Sequence, residues 1–464
     1  MQIVNSEVIN HFFALLKERN IECHAISIYQ KGAILLEKAF APFDVNQLHP
    51  LYSVTKSFTS MAIGFLEQEG KLSLDDTWIR YFPEYDALLA DQKFKEVTLW
   101  HLLTMSLGQD SEVEIVGDDD WVKVVLGKEI VFEPGTVFLY NSYCSHLLSA
   151  LVMKLTGVSM EDYLKSRLFE PLNIHHYLWE KDLYGRTLGG YGLHLSIHDL
   201  MKFGVCCLQH GVYEGKQVMP VSWLDKATTF QISNAASYPK ERSENRQGYG
   251  LHFWMCTHGG YRCSGLHGQL CFIQPENDLV IAMQNATTGS QAILNCLFEA
   301  MEDAQICSEP EFSIPLLKGG RESHVIDPWM NQIWKAVPNY FGIETICLRL
   351  NQDLLTLDII RNHRQYQIIA GYQIWHRQED HFKDFQTFMT QEGICEAYDQ
   401  KSNVAFANYA WKTKTTLKIE IRELDHSCGT LLRFEFDQGH LVMRYHVNGL
   451  YTMITETKCI FSKG

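Results

Sequence analysis

From Val8 onward the apolar residues Val8, Ile9, Phe12, Phe13, Leu15 and Leu16 recur at helical spacing, so the chain opens on an amphipathic helix with Ser6 as its expected cap. Cys23 to Gln30 then alternates like a half-buried strand, Lys31-Gly32 makes a turn, and Ala33 to Ala39 returns as a second strand. Helical spacing resumes over Met61 to Glu69 and stops at Gly70, glycine being the usual residue just past a helix end. As far as about Lys226 the pattern stays mostly helical, most clearly over Trp100 to Met105, Ser142 to Thr156 and Met160 to Phe169. Ser196-Ile197-His198-Asp199 has the form of a capping box and opens one more helix.

Beyond Tyr249 the period shortens to that of strands, over Leu251 to Cys256, Leu270 to Gln274 and Leu279 to Gln284, before a closing helix from Gln291 to Asp303. Strands at the front and back of this region enclose a helical middle. The expected class is therefore α+β, with one antiparallel sheet built from both ends, flanked by helices, and an inserted helical lobe beside it. Ser308-Glu309-Pro310, Pro315 and Gly319-Gly320 mark a linker over 309–338, between a first domain, 1–308, and a second, 339–464. In the second domain strand follows strand, from Thr345 to Leu350 through Leu441 to His446, which predicts an all-β barrel or sandwich.

Composition narrows the partners. Acidic residues outnumber basic ones, 55 to 40, so a nucleic-acid phosphate backbone is disfavoured. No apolar run reaches the length of a membrane span. The first residues lack the basic start and small-residue cleavage site of a secretion signal, which predicts a cytoplasmic protein. The 13 cysteines are scattered, with one adjacent pair, Cys206-Cys207, and no C-x-x-C, as expected of reduced, buried thiols.

Candidate chemistry begins at Ser53-Val54-Thr55-Lys56. Three residues apart on a helix's first turn, Ser53 and Lys56 share one face. A serine hydroxyl needs a base, and a lysine amine stripped of water can lose its proton and become one. The chain holds a second such pair, Ser237 and Lys240, in a polar, proline-broken run where nothing would fix it. Glu133-Pro134-Gly135 makes a turn that delivers Tyr140 just ahead of a helix; a phenol beside an ammonium can shuttle protons. Over Cys263 to Leu270, glycines at the start of a strand permit close approach. There the N–H of Gln269, together with that of Ser53, would make an oxyanion hole. His194 and His198 have metal-ligand spacing, but a cap at Ser196 separates their backbones, and Asp118-Asp119-Asp120 reads as a solvated loop; no metal or cofactor is expected.

In this order, Ser53-x-x-Lys56, then Pro134-Gly135-x-x-Phe138-x-Tyr140, then a glycine-rich strand start, the motifs resemble the class C β-lactamase-related serine hydrolases. That family comprises β-lactamases, DD-peptidases, D-amino-acid amidases and carboxylesterases. Thr98 to Met105, Gly189 to Leu193, Asp199 to Gly204 and Gly211 to Lys216 are similar to it as well. The resemblance implies Ser53 as nucleophile, Lys56 as its base, Tyr140 as second proton-transfer group, and Gln269 N–H beside Gly268 in the oxyanion hole. Two departures shape the substrate. The family's Tyr-x-Asn is Tyr140-Asn141-Ser142 here, and its Lys-Thr-Gly stands as Leu266-His267-Gly268, with His267 in the middle position. A cation for a β-lactam carboxylate is missing, so a small ester, amide or peptide lacking that carboxylate is expected. The alternatives are a true β-lactamase or DD-peptidase, and a binding protein that keeps the fold without catalysis.

Overall fold

The computed structural model describes residues 4–115, 119–303, 312–321, 329–339, 341–379, 404–424, 427–437, 439–447 and 457–463. Two β architectures are joined in one chain, and helices belong to the first. The first is a six-stranded antiparallel sheet in the spatial order Ala33–Ala39, Glu22–Gln30, Leu279–Ala286, Leu270–Gln274, Tyr261–Ser264 and Trp254–Met255. Strands from both ends of the first domain thus meet at its centre, where Ile26 pairs with Met283 and Ile28 with Ile281.

Both faces of this sheet are covered. Ala25, Tyr29, Cys271, Ile273, Val280 and Ala282 point into one core, shared with the helix Ile197–Leu208 and the helical lobe. Ile26, Ile28, Phe272, Ile281 and Met283 point into the other, under the helices Ser6–Glu18 and Ser290–Glu302. The strand Glu22–Gln30, expected to be half-buried, is buried on both sides for this reason. Its polar members survive burial by pairing: Ser27 donates to Glu37, and Gln30 accepts from Val4 N–H. The first helix is capped one residue earlier than expected, by Asn5, whose side chain accepts from Val8 N–H.

The helix Thr55–Gln68 runs through the middle of the first domain and is buried from Thr55 to Leu66. A buried helix this rich in hydroxyls needs acceptors, and each is supplied from elsewhere. Ser57 donates to His252 O (2.8 Å), Thr59 to Gly189 O (2.7 Å) and Ser60 to Leu251 O (2.7 Å). Gly64 admits the ring of Trp223, which would lie 2.3 Å from a Cβ there. The strand expected over Leu251 to Cys256 shrinks to Trp254–Met255, because His252 takes a left-handed conformation (φ 65°).

The second architecture is a ten-stranded sheet, antiparallel except that it closes on itself where Gly371–Tyr372 pairs in parallel with Asn408–Tyr409. Trp334, Leu357, Ile368, Tyr409, Ile419, Phe434 and Phe461 fill the resulting barrel. The strand Ile333–Ala336 belongs to it although the sequence places that stretch within the linker; Ser308, Glu309 and Pro310 lie outside the described residues. Trp375, Val404, Phe406 and Leu424 of the barrel pack on the core beneath Phe13 and Phe40, so the two architectures share an apolar seam. Among the described residues no helix is long and apolar enough to cross a membrane.

Candidate active site

A single tight turn, Tyr52–Val54, runs straight into the helix Thr55–Gln68, and it carries Ser53 to the helix entrance. Lys56 follows on the first turn and is 1% exposed. Its Nζ lies 3.0 Å from Ser53 Oγ, 3.2 Å from Ser142 Oγ and 2.7 Å from Gly190 O. Among the described residues no carboxylate pairs with it. Burial therefore dominates, and although the field of Glu112 opposes it, the lysine pKa falls from 10.5 to about 7. At neutral pH a large share of Lys56 is the free amine, able to accept the Ser53 proton across that 3.0 Å contact.

Tyr140 enters from the opposite wall. Gly135, left-handed at φ 86°, packs so tightly on His101 that a Cβ would approach its ring nitrogen to 2.7 Å. The chain then runs past Met105, whose carbonyl accepts from Leu139 N–H at 2.8 Å. Tyr140 is close enough to Ser53 for that side chain to favour its anion, stacks on Trp254 at 5.4 Å, and holds its ring 4.7 Å from Lys56 Nζ. Burial pushes its pKa well up, so the tyrosine rests as a neutral phenol.

Asn141 and Ser142 divide the two jobs that one amide could do. Asn141 is buried and turned back as the cap of the helix Ser142–Thr156, accepting from Tyr143 N–H at 2.9 Å. Ser142 is the member that reaches Lys56, and its backbone N–H donates to the rim carboxylate Glu112. Gly190 supplies the third lysine ligand; its lack of a side chain lets that bend press against Ser142, whose O would be 2.6 Å from a Cβ. Neither Gly190 nor Glu112 stands out in the sequence as a site residue.

The glycine that lies against Ser53 belongs to a different segment from the one expected. The strand Tyr261–Ser264 runs beside Ser53, and Gly265 at its end sits where a Cβ would meet Leu51 O at 2.3 Å and Ser53 N at 3.3 Å. Gln269 comes just before the next strand over, Leu270–Gln274. Its N–H faces Leu266 O at 3.5 Å, and its buried side chain donates to Asn285 O. Gly268 is held behind the loop, its O accepting from Asn285. His267 is turned away from Ser53; its Nδ1 meets Cys428 Sγ at 3.3 Å and its ring lies edge-on to Tyr52.

The remaining candidates are structural. Ser237 donates to Phe138 O, far from any partnership with Lys240. His194 and His198 diverge, the first toward Glu180 and the second toward Glu37. Asp120 caps the helix Trp121–Leu126 and pairs with Arg186, while Asp118 lies outside the described residues.

A buried helix that carries a serine–lysine pair at its entrance, beside an antiparallel sheet whose strand Tyr261–Ser264 ends in glycine next to that serine, defines the class of fold. The model of the beta-lactamase family matches residues 8–293, more than half of the chain, and the chain belongs to that family. It is 28% identical over 185 residues to the Beta-lactamase of Escherichia coli K12 (38% of this chain, 48% of that protein) and 26% identical over 199 residues to Protein flp of Staphylococcus aureus MW2 (39% of each). The chain thus matches less than half the length of these relatives. A putative beta-lactamase from Bacteroides dorei shares the fold at a TM-score of 0.55 and 17% identity, covering 65% of this chain and all of that one. The octameric penicillin-binding protein homologue from Pyrococcus abyssi covers 98% of this chain and 99% of its own, with a TM-score of 0.51 and 17% identity.

Proposed function

We propose that this protein is a serine hydrolase that cleaves a small ester or amide through an acyl-enzyme on Ser53. The observation that carries the reading is Lys56, a buried amine whose partners among the described residues are two hydroxyls and a carbonyl, with its Nζ 3.0 Å from Ser53 Oγ. In the first half-reaction Lys56 takes the Ser53 proton as Oγ attacks the substrate carbonyl carbon. The carbonyl electrons move onto oxygen, opposite the Ser53 N–H and the N–H of Leu266, the residue after Gly265. On collapse the bond to the alcohol or amine breaks, and Tyr140 gives the leaving group its proton while Lys56 resupplies the tyrosine. Water then repeats the sequence on the acyl-enzyme, and the acid leaves.

Neither glycine-ended segment supplies a cation for a substrate carboxylate. Cys263-Ser264-Gly265 lies along the nucleophile and Leu266-His267-Gly268 turns behind it, with His267 engaged by Cys428. This favours substrates without that carboxylate over β-lactams and peptide C-termini. Intact-mass spectrometry after treatment with a fluorophosphonate ester tests the reading: one adduct is expected on the wild type and none on Ser53→Ala. An unmodified wild type, or an adduct that persists in Ser53→Ala, overturns it.

A further inference from the structure

The two backbone N–H groups assigned to the oxyanion are each flanked by a strained residue. Tyr52, just before Ser53, has φ 48°, and His267, just after Leu266, has φ 59°. Side-chain-bearing residues avoid this left-handed region, so something must hold both in it. Their rings meet each other edge-on at 5.1 Å, and both are gripped by consecutive residues of the barrel. Ser427 Oγ donates to Tyr52 Oη at 3.2 Å, and Cys428 Sγ meets His267 Nδ1 at 3.3 Å. Ser427 is wholly buried, and Cys428 nearly so.

A second tie fixes the barrel where this grip occurs. Arg422, on the strand Thr416–Glu423, reaches Glu22 of the first domain at 2.9 Å. Its guanidinium lies over Gly429, where even a Cβ would collide with it at 1.2 Å. Glu22 in turn meets His24 Nε2 at 2.9 Å, His24 meets His49 at 2.9 Å, and His49 Nδ1 donates to Pro50 O, three residues before the nucleophile.

We propose that Tyr52 and His267 are positioning residues, and that the barrel, through Ser427 and Cys428, holds them so that the Ser53 and Leu266 N–H groups converge on one point. This rests on the hydrolase reading above and gives the second domain a role in the chemistry instead of in binding or coverage. Loosening the grip lets the donors drift while leaving the serine–lysine pair in place, so turnover falls and substrate binding does not.

The test measures the rate of Ser53 modification by a fluorophosphonate, and kcat and KM on an activated ester, in the full-length chain. Tyr52→Phe, Ser427→Ala and Cys428→Ala are each expected to lower kcat by about three- to tenfold with KM unchanged, displacement of a donor by a fraction of an ångström being enough for that. The Tyr52→Phe, Ser427→Ala double variant should lose no more than the worse single variant, and Ser427→Thr, which keeps the hydroxyl, should recover the rate. A wild type that the reagent does not modify sinks the hydrolase reading and this proposal together. A modified wild type with kcat unchanged in Ser427→Ala and Cys428→Ala, or with additive losses in the double variant, overturns this proposal alone.

Discussion

Two buried cations, Lys56 and Arg422, are equally hidden from water at 1% and 2% exposure, yet they have opposite chemical lives. Arg422 is matched by Glu22 at 2.9 Å and Glu420 at 2.8 Å, so its charge is compensated where it sits. Burial alone would raise the Glu22 carboxyl, but Arg422 and His24 pull it below its usual value. Lys56 is given two hydroxyls and a carbonyl, which solvate an ammonium without neutralising it. The difference is one of partners, and it turns the same desolvation into a structural tie in one place and, in the proposed mechanism, a base in the other. An unmatched buried charge is costly, which is why the fold tolerates one where a proton must be moved.

Several measurements would break or sharpen this contrast. In the proposed mechanism Ser53→Ala removes the group that Lys56 deprotonates, and hydrolysis should fall by about 10⁶-fold, as for other triad-type nucleophiles. Steady-state assays on any ester that the wild type turns over would show it. Lys56→Ala should slow acylation by about 10²–10⁴-fold with the fold intact. A normal single-turnover rate would remove lysine from the mechanism. Arg422→Met should do the reverse, destabilising the protein by about 3–5 kcal/mol through the loss of one partner from a buried ionic cluster. Urea denaturation of that variant reads the loss directly, and Lys56→Met, which orphans no carboxylate, should show no comparable destabilisation. The smallest effect is in pH. Activity should fall about tenfold per unit below the Lys56 pKa, near 7. Because the unfolded lysine still holds its proton up to about 10.5, the unfolded state binds more protons between these values, and stability should rise with pH across that window. Lys56→Met should flatten both the profile and the rise.

The serine–lysine pair was legible because its geometry is local. Residues three apart on a helix turn meet whatever the rest of the chain does. Tyr140 was nearly as legible, since Gly135 and the helix beginning at Ser142 bracket it within a few residues. The oxyanion side was not. Tyr261-Arg262-Cys263-Ser264 puts a charged residue into what proves to be a strand of the sheet, and the burial of Arg262 is explained by Glu244 O and Asn245 Oδ1, which arrive from another loop, together with Met255 O and Cys256 Sγ. With that strand unseen, the glycine beside Ser53 was placed at Gly268 instead of Gly265. The barrel strand Ala405–Thr413 went unread for a related reason, its alanines and asparagine carrying little strand preference until neighbours on both sides enforce it.

The sequence by itself determined the fold class, the division into a sheet-and-helix part and a β part, and the identity of the residues that share one helical turn or one tight loop. These follow from periodicity and from short-range backbone geometry, which each segment carries within itself. Tertiary structure alone decided that Gly190 O solvates Lys56, that Gly265 and not Gln269 lies against the nucleophile, and that Ser427 and Cys428 reach residues that precede them by well over a hundred positions. Such contacts depend on which surfaces the folded chain presses together, and the lowered lysine pKa depends on all of them at once, because desolvation is a property of the whole enclosure.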